Sequence, residues 1–217
     1  MAYKLDDFRD EMRYKPVSPL VGHGKGFKID DNVCLKFDAP IFKNRGVYLP
    51  HWYQEGTIQF ITIHLHDSLP APILERYLQL YKLIESGEFY LQTANIEKFL
   101  NKIDYWLQQG YGSCILQFDK FQKVIKDSLE FYDGIFYDLY DYVIMPNHIH
   151  FMFLPYKDHR DIISSFKRYT TSTMNKFIPD FGQVWQNDYF DKIISSVGDY
   201  YITAEYIKMN PKGWKKH

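Results

Sequence analysis

Cysteine is scarce. The 217 residues hold two, Cys34 and Cys114, far apart and without metal-type spacing. That excludes a disulfide framework and a cysteine-built zinc site, and it suits a reducing cytoplasm. No apolar run approaches the ~18 residues of a membrane span, and Met1–Asp7 has no apolar signal core. A cytoplasmic protein with no membrane partner is expected. An excess of positive charge is missing too. The formal net charge is −1, so bulk electrostatics would not coat nucleic acid, although a local basic groove remains open. Internal repeats, low-complexity tracts and a P-loop are absent. The glycine-rich Val21–Gly26 lacks P-loop spacing and reads as a loop.

Aromatic residues are abundant, at 18%, with 19 tyrosines. Most serve packing, but aromatics also stack on unpaired bases. Hydrophobic residues at 46% and charged residues at 24% describe a globular chain able to bury a core.

Residues 1–43 read as an N-terminal arm and 44–217 as one domain. Alternation of apolar and polar residues predicts a strand over 57–66. Amphipathic spacing predicts helices over 72–86 and 95–109, stopped at Gly87 and Gly110. A third helix spans about 120–132. Strands over 135–145 and 148–154 form a hairpin through Pro146-Asn147. A helix over 160–177, a strand over 189–196 and a helix over 200–209, ended at Asn210-Pro211, complete the chain. With the helical insertion at 72–110 set aside, the order is strand, helix, strand, strand, helix, strand. The expected fold is α+β, a ferredoxin-like (RRM-like) antiparallel sheet with helices on one face, followed by one more helix.

The sharpest motif is His148-Ile149-His150. Residues two apart on a strand share a face, so both imidazoles aim at one place and make a half-site for a divalent metal. A second pair, His64 and His66, has the same spacing, and spacing alone does not choose between them. On the last helix, Tyr206 and Asn210 are four apart and share a face. The Asn210 amide oxygen could be a third ligand, and the Tyr206 hydroxyl a nucleophile.

Together these segments resemble the single-strand DNA transposases with one catalytic tyrosine, within the wider His-hydrophobic-His nuclease class. The chain is most similar to the REP-associated tyrosine transposases. The resemblance runs from about Asn44 to Trp214. It takes in Arg45-Gly46, Tyr48–Trp52, Asp67–Pro70, Gly110–Gly112, Tyr142–His150, Ser165–Lys167, Trp185-Gln186, Tyr189–Asp191, Tyr206-Ile207 and Asn210-Pro211. The first 40 or so residues have no counterpart in it.

The resemblance implies that His148, His150 and Asn210 hold Mg²⁺ or Mn²⁺ and that Tyr206 attacks phosphorus. It favours His148 and His150 over His64 and His66, which then count as strand residues. It implies a 5′-phosphotyrosine intermediate, and single-stranded, hairpin-forming DNA as the partner. Nitrogen ligands suit Mn²⁺ somewhat better, and abundance favours Mg²⁺. Candidate DNA contacts are Arg45, Lys167, Arg168, Lys208 and Lys212, with Trp185 for base stacking. Ser and Thr residues of 169–173 are expected on a helix surface near the DNA path. A homodimer exchanging the tyrosine helix stays open. So do three other functions: a relative that binds repeat hairpins without cleavage, a ferredoxin-like RNA-binding module, and a metal hydrolase using water.

Overall fold

The computed structural model describes residues 16–25, 29–45, 50–76, 79, 102–178 and 181–214. Five strands form one antiparallel sheet in the order β1 (Leu20–His23), β5 (Tyr137–Ile144), β6 (His148–Pro155), β4 (Gln59–His64) and β7 (Phe190–Ile193). A separate hairpin pairs β2 (Phe42–Arg45) with β3 (Pro50–Tyr53). Three helices follow the predicted order: α1 (Asp119–Phe131), α2 (His159–Asn175) and α3 (Val197–Gly213). Residues 71–76 and 102–108 are also helical, at the outer ends of the predicted insertion. Residue 79 is helical too, and 77–78 and 80–101 lie outside the described residues. Without β1, the order β7-β4-β6-β5 is the ferredoxin-like arrangement expected from the sequence.

The sheet has two buried faces. Every residue of β5 is buried, and all but one of β6. Ile61, Ile63, Ile149, Phe151 and Phe153 pack beneath α1 and α2. Those helices present Phe121, Ile125 and Leu129, and Ile162, Ile163 and Phe166. Met152, Val143 and Ile58 point the other way, toward Tyr200, Ala204 and Ile207 of α3. Helices α1 and α2 thus share one face as expected, and α3 covers the other. Its side-chain cap is Ser196, whose Oγ accepts the Asp199 N–H at 3.1 Å.

Two local expectations are corrected. The glycine-rich stretch at 21–26 is not simply a loop, because Leu20–His23 is an edge strand paired with β5 from Leu20↔Ile144 to His23↔Asp141. Its glycines permit close approach. A Cβ on Gly22 would lie 2.1 Å from the Tyr142 ring, and one on Gly24 would lie 2.0 Å from the Leu139 carbonyl oxygen. This strand is part of the main sheet although it precedes residue 43. Helix α3 also continues past Asn210-Pro211 to Gly213. Proline removes only its own N–H from the ladder, and the Trp214 N–H closes the end on the Pro211 carbonyl at 3.3 Å. Among the described residues no helix is long and apolar enough to cross a membrane.

Gly24→Ala would push a methyl group into the β5 backbone and should destabilise the protein by roughly 1–3 kcal/mol. Chemical denaturation reads this directly, and an unchanged midpoint would show that residues 20–24 do not pack on β5.

Candidate metal and tyrosine site

The site is built on the two central strands. In the β4–β6 register Thr62 lies opposite His150 and His64 opposite His148. These side chains therefore share the face covered by α3. His148 and His150 are both buried, with ring centroids 4.7 Å apart.

Each imidazole is held by its Nδ1. His148 Nδ1 lies 2.7 Å from Asn147 Oδ1. The Asn147 amide nitrogen donates to the Leu107 carbonyl at 3.0 Å and the Tyr111 carbonyl at 3.2 Å. Its oxygen is therefore the acceptor, so the proton of His148 sits on Nδ1 and the Nε2 lone pair is free. That Nε2 is buried with no hydrogen-bond partner. His150 Nδ1 meets Thr62 Oγ1 at 2.7 Å. Outer partners of this kind fix ring orientation and tautomer for a metal.

Helix α3 brings Tyr206 and Asn210 onto this face, as their four-residue spacing predicts. Tyr206 Oη lies 3.3 Å from His150 Nε2. The Asn210 amide is buried beside His148 and Tyr206, and neither its oxygen nor its nitrogen meets the geometry of a hydrogen bond. An unpartnered imidazole nitrogen and an unpartnered amide oxygen, both buried, fit a cation bound between them.

Asp104, which the sequence reading missed, completes the cluster. It comes from the helical segment at 102–108 and accepts the Tyr206 hydroxyl proton at 2.5 Å. Its Oδ1 is 3.6 Å from His150 Nε2. Ligand atoms of Asp104, His148 and His150 all lie within 4.8 Å of one another. Nothing in the sequence separated Asp104 from the solvated face of an amphipathic helix. Asn147 carried a readable signal, an amide beside the His pair in a tight turn.

The electrostatics follow from burial. Desolvation lowers the His148 pKa well below the usual histidine value, and the neighbouring His150 adds to this. Burial, and then the Asp104 charge, raise the Tyr206 phenol far above its ordinary value. Burial opposes ionisation of Asp104, but His150 and the Tyr206 hydroxyl together hold its carboxyl below the usual range. His64 faces the same layer. Its Nδ1 lies 2.8 Å from Ser68 Oγ, and burial lowers its pKa to about 4. His66 is exposed. A cavity of about 670 Å³ between α1 and α2 shares no residue with this cluster.

The proposed DNA contacts divide. Arg168, Lys208 and Lys212 are exposed, while the Arg45 side chain lies outside the described residues. Two assignments are corrected. Lys167 Nζ donates to the carbonyls of Gln186, Asn187 and Asp188 at 2.8, 3.0 and 2.9 Å, so its ammonium is committed to that loop. Burial lowers its pKa to about 8. Trp185 is buried and donates from Nε1 to Thr170 Oγ1 at 2.8 Å, so its ring is not available to a base. Thr170 is likewise in the core rather than on the helix surface.

Fold and site together define a ferredoxin-like domain with a buried histidine pair facing a helix-borne tyrosine. Residues 118–210 match the family described as "Transposase IS200 like". That span, a little under half of the chain, contains His148, His150, Tyr206 and Asn210. A solved structure described as a REP-associated tyrosine transposase bound to a REP hairpin is similar at 17% identity, over 76% of this chain and 73% of that one, with a TM-score of 0.42. No curated protein matches the chain.

Lys167→Met would leave three loop carbonyls without their donor and should cost about 1–3 kcal/mol of stability. A shifted denaturation midpoint would confirm the clasp. Normal stability with weakened DNA binding would return Lys167 to the DNA path.

Proposed function

We propose that this chain is a metal-dependent single-stranded DNA endonuclease and strand transferase. It acts on hairpin-forming repeats through a 5′-phosphotyrosine at Tyr206. The observation that carries the reading is the convergence of the Tyr206 hydroxyl, the Nε2 side of His148 and His150, Asp104 and the unpartnered Asn210 amide on one buried face.

His148, His150 and Asn210 would hold Mn²⁺ or Mg²⁺, with Asp104 as a further carboxylate ligand or neighbour. When bound, the cation supplies Lewis-acid charge to a phosphate and offsets the carboxylate beside the phenol. The remaining work falls to the protein. Tyr206 Oη bonds to phosphorus, and its proton passes to Asp104 Oδ1, which already accepts its hydrogen bond. The bond from phosphorus to the 3′ oxygen breaks, and that oxygen leaves as a hydroxyl with the proton Asp104 took up. The new phosphodiester retains the bond energy, so transfer to another 3′ hydroxyl needs no nucleotide cofactor. Arg168, Lys208 and Lys212, with Arg45, would track the backbone of the single strand. Tyr206 lies 3.3 Å from His150 of its own chain.

Labelled single-stranded hairpins, incubated with protein and Mn²⁺ or Mg²⁺, should yield a labelled band on a denaturing protein gel. The band should vanish with Tyr206→Phe and with His148→Ala. Cleavage that survives Tyr206→Phe would assign the site to a water-using hydrolase. Tight hairpin binding with no covalent band under either metal would make the chain a repeat-binding protein.

Asp104→Asn keeps the shape but loses the base. Single-turnover cleavage should fall about 10²–10⁴-fold while hairpin affinity stays unchanged. Undiminished cleavage would remove Asp104 from the proton path.

A further inference from the structure

Among the described residues, a second buried cluster of ligating side chains lies on the opposite face of the sheet. Asp191 of β7 is registered with Ile61, whose side chain belongs to the layer under α1 and α2. Beside it sit His51 of β3 and His159, the first residue of α2. Ligand atoms of the three lie within 4.8 Å of one another. The side chains of His51 and Asp191 are 3% exposed and that of His159 is fully buried.

We propose that His51, His159 and Asp191 form a second, structural metal site for Zn²⁺ that fastens the β2–β3 hairpin to β7 and the start of α2. His51 Nδ1 lies 2.8 Å from Asp191 Oδ1, and His159 Nε2 lies 3.6 Å from Asp191 Oδ2. Bonds of about 2.0–2.2 Å to a tetrahedral ion imply ligand separations of roughly 3.4 Å, and the two observed spacings bracket that figure. Two imidazoles with one carboxylate favour zinc over magnesium or calcium, which take oxygen ligands.

His159 supplies the independent sign. Both of its ring nitrogens are buried and neither meets a hydrogen-bond partner. A protonated His51 bridging Asp188 and Asp191 would neutralise some of the carboxylate charge, yet it would leave His159 unsatisfied. A cation on the Nε2 side of His159 resolves both. The far nitrogens match this arrangement, because each faces a carboxylate. His51 Nε2 stands 3.9 Å from Asp188 Oδ1, and His159 Nδ1 stands 4.0 Å from Asp158 Oδ1. Carboxylates placed behind zinc-bound imidazoles orient the ring and raise its basicity. Asp191 Oδ2 also accepts the Trp52 N–H at 2.7 Å, which fixes the carboxylate on the hairpin backbone.

The test uses the full chain with His148→Ala and His150→Ala, which removes the other histidine pair. After chelation, Zn²⁺ titrated by calorimetry should bind with one equivalent and raise the melting temperature. Co²⁺ should give the visible absorption of a tetrahedral site. Adding His159→Gln should weaken zinc binding at least 100-fold. If that variant does not fold, Asp191→Asn is judged by the same criterion. No zinc binding in the double variant, or binding unchanged by His159→Gln or Asp191→Asn, would overturn the site and leave a hydrogen-bonded network. Neither outcome depends on DNA cleavage.

Discussion

The antiparallel register of β4 on β6 is the constraint from which the rest follows. It sets Thr62 against His150 and His64 against His148. Side chains alternate along a strand, so a slip of one residue would turn both imidazoles into the apolar layer under α1 and α2. It would also bring Ile149 out under α3. The register is held because both faces of the sheet are buried, so each face must receive its own set of side chains.

That burial has a cost which the site retains. An unsatisfied buried polar group costs about 1–3 kcal/mol, and His148 Nε2 and both amide atoms of Asn210 lack partners. The two elements that carry them are otherwise well packed. Ile149 and Phe151 lie in one core and Ile207 in the other. Groups held unsatisfied by a rigid surround are pre-organised for something that arrives later. The same pattern appears on the opposite face at His159.

The local parts of the fold and of the site were legible in the sequence. The two-residue spacing of His148 and His150 gave one face of a strand, and the four-residue spacing of Tyr206 and Asn210 gave one face of a helix. The helix stripes of α1 and α2 and the strand order were legible for the same reason, since periodicity records which side of an element is buried. Contacts between distant segments were not legible. Asp104 reaches Tyr206 across 102 residues. Lys167 and Trp185 looked like surface candidates because side-chain type was the only guide, and their partners lie in another segment. The glycines of β1 read as a loop because the reason for them is the Tyr142 ring and the Leu139 backbone, both far along the chain.

The dispersal of the site along the chain has a consequence for folding. Tyr206 meets His150 across 56 steps of the chain and Asp104 across 102, so of its neighbours in the cluster only Asn210, four residues on, is local. Closing such loops is entropically costly and comes with the cooperative assembly of the sheet, not before it. A partly folded chain, even one with the β5–β6 hairpin already formed, would have two imidazoles and no tyrosine in reach. The complete cluster is thus a property of the native state alone, and a misfolded copy would hold its parts without their arrangement.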